Sequence, residues 1–405
     1  HSLLAVAAAT WHGTDWPASQ QGFDYRLLGL VALADPLRDK VPQAVEECRR
    51  AGIRVVMITG DHPGTAMAIA RQAGIDCEAG LLLGDEVASL DDEALRRKVA
   101  AVNVFARVAP QQKLRIVQAL KADGEVVAMT GDGVNDAPSL KAAHIGIAMG
   151  GRGTDVAREA SSLVLLDDDF GTLVQAVRLG RRIYDNLRKA MRFVFAVHVP
   201  IAGLTLLPLV LGWPLLFTPM HIAFLEIVID PVCSIVFEAE DEEHDVMQRP
   251  PRDPAAPLFS PAMIAQSLLQ GGLVLLLVAA FYWGLLQQGG SDPAARAAAF
   301  IALVASNIAL ILANRAQGAG LGDALRAHNR ALWGMVLATL VLLATVIGIS
   351  PLRRLFGFEL PDPAALASAL GVGAAVLFLL LMLKRLLPSL APGQARRRPK
   401  PERVG

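Results

Sequence analysis

The chain has 405 residues, 53% of them hydrophobic and 19% charged, with 38 Lys and Arg against 38 Asp and Glu. It is too apolar for an ordinary soluble protein and too charged in places for membrane helices alone, so two bodies of different kinds are expected. The balanced net charge leaves no basic footprint for nucleic acid, and Cys48, Cys77 and Cys233 form no CxxC or Cys/His cluster, so neither a disulfide framework nor a thiolate metal site is indicated.

The first residues, HSLLAVAAATWHG, carry neither an initiator Met nor a charged signal region, as expected of the remainder of a longer chain. From residue 27 to about 186, short apolar runs alternate with amphipathic segments. LLGLVALA (27–34), IRVVMIT (53–59), EVVAMT (125–130), HIGIAM (144–149) and SLVLL (162–166) read as buried parallel strands. VPQAVEECRRAG, HPGTAMAIARQAG and PQQKLRIVQALKADG read as helices stopped by Gly. The alternation predicts an α/β fold with a doubly wound parallel sheet, in which ligands bind beyond the carboxyl ends of the strands.

Three such ends carry chemistry. In MITGD (57–61), Thr59 and the Gly60 backbone suit a phosphoryl oxygen, and Asp61 orients the loop. In APQQK (109–113), Lys113 lies in the first turn of a helix, where its ammonium can neutralise a phosphate; a solvated lysine is the plain alternative. In VVAMTGDGVNDAPSLK (126–141), Asp132 and Asp136 follow a strand, and Gly131 and Gly133 allow close backbone approach. Hard carboxylate oxygens beside a phosphate suit Mg²⁺, which takes one or two carboxylates, waters and substrate oxygens. An Asp-Gly turn with a helix cap explains one of these acids and leaves the other idle.

From Leu187 the chain carries six apolar segments, 187–211, 215–237, 258–286, 296–314, 331–350 and 364–387, each near the ~20 residues that cross hydrocarbon as a helix. Arg249, Arg252, Arg315, Arg326, Arg330 and the tail Arg396, Arg397, Arg398, Lys400 and Arg403 fall on one side, with Arg353 and Arg354 as the exception. This bias predicts a multi-pass protein of the plasma (inner) membrane with its soluble part and C-terminus in the cytoplasm. The basic run in 389–405 reads as a solvated tail.

Inside the segments, Glu226 and Asp230 lie four residues apart on one helical face, and Pro231 follows directly. Ionisable groups at such depth are costly, and a proline that releases backbone carbonyls beside them makes a cation site. His198, followed by Pro200, and Asn307 are helpers for that site, with helix-helix hydrogen bonding as the alternative; for Gln266 and Gln270 an interhelical bond is favoured.

DPLR (35–38), MITGD, PQQK (110–113) and TGDGVNDAPSLK (130–141), in this order and spacing, resemble the P-type cation-transporting ATPases of the haloacid-dehalogenase superfamily. The likeness continues through GRGTDVAREASSLVLLDDDF and GRRIYDNLRKAMRF into the membrane. It implies an ATP-driven ion pump passing through an aspartyl-phosphate, with Asp132 as the Mg²⁺ ligand and Asn135 and Asp136 organising phosphate and metal. It also implies nucleotide contacts from Asp35 and Arg38 and neutralisation by Lys113. Residues 1–26 are then the trailing edge of a nucleotide-binding domain, 27–186 a phosphorylation domain without its first strand and nucleophile loop, and 187–388 six transmembrane helices. The family's Asp-Lys-Thr-Gly-Thr motif is absent from the sequence, Asp39-Lys40-Val41 having the wrong followers, so the chain as given is expected not to complete a cycle and to need an N-terminal part of the same pump.

Where well-known calcium pumps of the family carry membrane glutamates, Ile201 and Asn307 stand here, and Glu226 stands for an asparagine. Two acids without a thiolate favour a hard cation, with Ca²⁺ or another divalent preferred and Na⁺, K⁺ or H⁺ as the alternative. A membrane-tethered phosphatase using Asp35 as nucleophile, or a nonenzymatic scaffold, are the rivals from other classes.

Overall fold

Beyond residue 50 the apolar runs of the first half form strands shorter than their sequence extent. In the computed structural model, which describes residues 2–13, 15–33, 36–315 and 329–386, the chain divides into two units. One comprises His1–Arg178 with Met247–Pro254, the other Leu179–Val246 with Ala255–Gly405. Asp35 and the basic stretch 389–405 lie outside the described residues.

In the first unit, β1 (Ser2–Ala8) and β2 (Arg26–Leu33) pair antiparallel, with a register shift between Val6 and Ala7. The run 27–34 therefore does not join the parallel sheet expected for it. The apolar segment SLLAVAA upstream takes it as an antiparallel partner instead, with residues 9–25 as the connection. The ribbon leaves Leu4, Val6, Leu27, Leu28, Leu30 and Val31 exposed.

The remaining strands are parallel. Two short strands, β3 (Met57–Ile58) and β4 (Leu82–Leu83), flank β5 (Val104–Ala106), and β6 (Ala128–Gly131), β7 (Ile145–Met149) and β8 (Leu163–Leu165) follow one another in a second sheet. Among the described residues β3 and β6 are each paired on one side only. The intervening helices are α1 (Val41–Arg50), α2 (Pro63–Ala73), α3 (Gly84–Ser89), α4 (Asp92–Ala101), α5 (Pro110–Ala122), α6 (Ala137–Ala142) and α7 (Asp155–Ala160). Their boundaries follow local chemistry. Proline opens α2 and α5, where a missing N–H costs no helical bond. Gly74 closes α2 with φ +77°, a conformation that penalises any Cβ. The fully buried β5 packs its Phe105 against Leu82, Val87, Leu95, Val99, Ile116 and Leu120.

In the second unit the helices are long. They are α8 (Phe170–Leu211, whose first residues belong to the first unit), α9 (Pro219–Pro231), α10 (Pro261–Gln287), α11 (Asp292–Arg315), α12 (Arg330–Gly348), the short α13 (Ser350–Leu355) and α14 (Pro363–Leu386). Among the described residues six of these helices are long and apolar enough to cross a membrane, α9 with its extension through Val236. The helix α8 starts well before the apolar segment at 187, because its first turns are amphipathic and polar. The central element is α11: 89% of its apolar window is buried, against 22–39% for the others. It approaches α14 closely, since a Cβ on Gly373 would lie 2.6 Å from the Ala305 Cβ.

Three prolines, Pro200, Pro208 and Pro231, lie inside these helices and interrupt hydrogen-bond ladders. Pro200 within α8 has no N–H for the Ala196 carbonyl, and Gly271 of α10 packs against that oxygen, where a Cβ would come within 2.3 Å. Pro231 likewise cannot serve the Ile227 carbonyl, and the chain continues as a π-helical turn, Val232–Val236.

Candidate functional site

The end of β6 is closed by the loop that follows it. Gly131 leaves no room for a side chain, because a Cβ there would lie 2.5 Å from that of Asp136. A 3₁₀ turn, Val134–Asp136, then brings the buried Asp136 carboxylate back beneath the strand end. Its Oδ2 accepts the N–H groups of Asp132 and Gly133, each at 3.3 Å, and its Oδ1 accepts Lys113 Nζ at 2.7 Å. Both oxygens are thus engaged, and Lys113 of α5 is fixed beside β6. Asp132 and Asn135 are exposed at the rim. The Asp132 carbonyl accepts from Thr154 N at 2.8 Å, tying the loop to the start of α7.

Thr59 leaves β3 bonded to the neighbouring strand through Phe105 O, 2.9 Å from its N, while its own carbonyl accepts Val108 N at 3.1 Å. Its hydroxyl donates to Asp61 Oδ2 at 2.9 Å and accepts the Asp61 N–H at 3.1 Å, so Asp61 sets the Thr59 rotamer. Gly60 between them is exposed, with open space where a Cβ would stand. These contacts unite Lys113 with Asp136 and Thr59 with Asp61, all past the carboxyl ends of parallel strands. Among the described residues no group of three or more His, Cys, Asp or Glu gathers as a metal cage.

Arg38 is held elsewhere: it donates to the Asp168 carbonyl in the acidic turn after β8. Asp168 stands at φ +54°, and its carboxylate accepts Gly151 N at 3.0 Å and Arg152 N at 2.9 Å. The Gly151 N–H above all holds its carboxyl below the ordinary range, with Arg152 assisting against the opposing effect of burial. Asp167 is lowered chiefly by the Thr172 hydroxyl, and Asp169 by the Gly171 N–H and then Lys40, 3.3 Å away.

In the second unit, Glu226 and Asp230 share a face of α9, and His198 of α8 brings its Nε2 to 3.8 Å from Glu226 Oε1. The His198 Nδ1 is 2.8 Å from the Val194 carbonyl of its own helix, which fixes the ring orientation. The three polar groups are partly or fully exposed in the described structure. Asn307 does not join them. It is buried on α11, lining an apolar cavity with Phe193, Phe224, Val228 and Thr339, and its Oδ1 has no hydrogen-bond partner. Gln270 accepts from Asn314 Nδ2 at 2.9 Å, an α10–α11 bond.

The family described as "Cation transporting ATPase, C-terminus" matches residues 214–386, and that described as "haloacid dehalogenase-like hydrolase" matches residues 10–144. The calcium-transporting ATPase of Bacillus subtilis is 37% identical over 380 residues, covering 93% of this chain and 43% of that protein. The chain belongs to the P-type cation-transporting ATPases. Calcium-transporting ATPase 1 of Bacillus cereus is 43% identical over 62% of the chain and 28% of its own length. Probable cation-transporting ATPase F of Mycobacterium tuberculosis is 42% identical over 67% of the chain and 31% of its own length. The chain therefore spans less than half the length of these relatives. With six helices of crossing length among its described residues, this chain is a multi-pass integral membrane protein.

Sequence reasoning missed a buried polar knot in the second unit. Glu240 receives Arg315 Nε and, at 2.6 Å, Asn329 Nδ2, while Asn186 Nδ2 donates to the Glu240 carbonyl at 2.9 Å. Its signal was the Asn-Arg pair closing α11 opposite the acidic run EAEDEEHD.

Proposed function

We propose that the chain is the part of an ATP-driven cation pump that holds the phosphate-handling loops and six of the transport helices, with Ca²⁺ as the favoured cargo. The observation that carries this reading is the Lys113–Asp136 pair beneath an exposed Asp132 at a parallel-strand end. The names of the Bacillus relatives support calcium.

The residues fit a Mg²⁺ ion. Asp136 is consumed by Lys113 and two backbone N–H groups, which leaves Asp132 as the outward carboxylate, and Mg²⁺ takes one or two carboxylates completed by water and substrate oxygens. Bound there, Mg²⁺ would supply charge neutralisation for the phosphoryl oxygens. The chain's own groups do the rest. Lys113, held by Asp136, offers its ammonium to a phosphoryl oxygen, and Thr59, held by Asp61, offers its hydroxyl alongside the Gly60 N–H. A carboxylate that attacks the γ-phosphate of ATP needs alignment and charge compensation rather than a base. That aspartate is assigned to a strand between β3 and β6, each of which is paired on one side only among the described residues. Asp35 and Arg38 are assigned to the nucleotide side.

In the membrane, Glu226 and Asp230 are the proposed cargo carboxylates, with His198 beside Glu226 and backbone carbonyls freed by Pro231. Asn307 is assigned a place in the adjoining apolar cavity.

The test uses the complete pump. Asp132→Asn abolishes phosphoenzyme formation from ATP while the membrane helices stay folded; normal phosphorylation of this variant rejects the site. ATPase activity screened over Ca²⁺, Mn²⁺, Mg²⁺, Na⁺ and K⁺ identifies the cargo, with Ca²⁺ the expected activator.

A further inference from the structure

The charged end of α8 gathers several cations around a buried guanidinium. Lys189 and Arg192 are 5% and 6% exposed. Lys189 bonds Glu243 Oε1 at 3.1 Å. The carboxylates acting on Arg192 are Glu243 and Asp185, and Arg188 acts on it with the same sign. From the far end of α14, Lys384 enters this cluster: its ammonium donates to the Ala313 carbonyl of α11 and feels Arg192, Lys189 and Glu243. Arg188, Lys189, Arg192 and Lys384 thus gather with Glu243 and Asp185. Glu240, in the same acidic run as Glu243, is bonded to Arg315 and Asn329.

A second, independent observation points to a ligand. The Arg192 Nε is buried without a hydrogen-bond partner, and so is that of Arg188. Leaving a buried guanidinium N–H unpaired is costly, and a charge-assisted acceptor removes the cost. Depth identifies the acceptor. Beyond Arg192, residues 193–211 of α8 contain no Asp, Glu, Lys or Arg, and neither do residues 363–383 of α14 before Lys384. Both cations therefore stand where an uncharged, hydrocarbon-length run gives way to charge, which is the level of lipid headgroups.

We propose that Arg192, with Lys384 and Lys189 around it, binds a phosphate-bearing anion, supplied by the headgroup of an anionic phospholipid in the leaflet that these helix ends face. Arg192 contributes the planar fork that matches phosphate oxygens, and the lysines contribute point charge. The bound phosphate ties α8 to α14 across the end of α11.

The test uses the full chain in a nonionic detergent, with native mass spectrometry counting retained lipid and thermal unfolding as the second readout. Phosphatidylglycerol is retained and raises the melting midpoint, whereas phosphatidylcholine at the same concentration does neither. Arg192→Gln and Lys384→Gln each weaken retention about fivefold, the effect of removing one cation near a lipid headgroup, and Arg192→Lys restores part of it. Arg354→Gln, which removes an exposed basic group elsewhere, leaves retention unchanged. If Arg192→Gln does not fold, Lys384→Gln decides. Protection by inorganic phosphate equal to that by phosphatidylglycerol overturns the lipid source and leaves a free-phosphate site. Retention that neither glutamine variant changes, or that phosphatidylcholine matches, overturns the site altogether.

Discussion

At the residue scale, the two aspartates of TGDGVND differ in burial and partners. The sequence shows two acids four apart at a strand end, and nothing in their spacing says that one would turn inward. The structure makes the difference through Gly131, whose missing side chain is the space the Asp136 carboxylate occupies. Asp136→Ala strands Lys113 as a largely buried cation and should cost about 3 kcal/mol, read as a fall in the denaturant midpoint. Asp132→Asn, at an exposed position, should change stability by less than about 0.5 kcal/mol. Equal destabilisation by both would contradict their separate roles. Asp168 makes a pH prediction. Its carboxyl is lowered in the folded state by the Gly151 N–H, so its contribution is complete above the unfolded value of 3.8 and disappears as pH falls through the lower folded value. Asp168→Asn should therefore weaken the first unit at neutral pH and shrink the difference between neutral and acid stability, as followed by acid titration.

At the scale of elements, the strand-turn-helix from 126 to 141 and the six apolar helices were legible because their signals are local: an apolar run ending in Gly and Asp, or enough uncharged residues to span hydrocarbon. The β1–β2 ribbon was not, since an isolated apolar run gives no account of which neighbour it pairs with. The strand β5 was also missed, because VFA is only three residues long and gains its burial from elements distant in sequence. Hydropathy marked only the apolar part of α8 from 187, because the turns before it carry charge. Within the membrane helices, close approach depends on small residues that composition alone does not single out. Gly373→Leu should drive a side chain into Ala305, cost roughly 1–3 kcal/mol through overpacking, and lower the melting temperature of the helical unit. A variant that melts like the parent would mean that α14 shifts freely on α11.

At the scale of the whole molecule, the cores of the two units share no residue. Phe105 and its neighbours build one, and the helices from Ala190 to Leu380 build the other. A single unfolding free energy does not describe such a chain. Phe105→Ala should cost about 3–5 kcal/mol in the first unit alone, lowering one calorimetric transition and leaving the second in place. The candidate sites divide in the same way: the phosphate loops are spelled in contiguous motifs of the first unit, whereas the membrane group needs His198 and Glu226 from different helices. This explains why the former could be read residue by residue and why Asn307 was assigned to the latter. One contact also bears on how such chains diverge. Because Pro200 frees the Ala196 carbonyl and Gly271 alone leaves room for it, the two positions are under a joint constraint. Across homologous pumps, a side chain at the second should accompany loss of proline at the first, so that the pair drifts together through evolution.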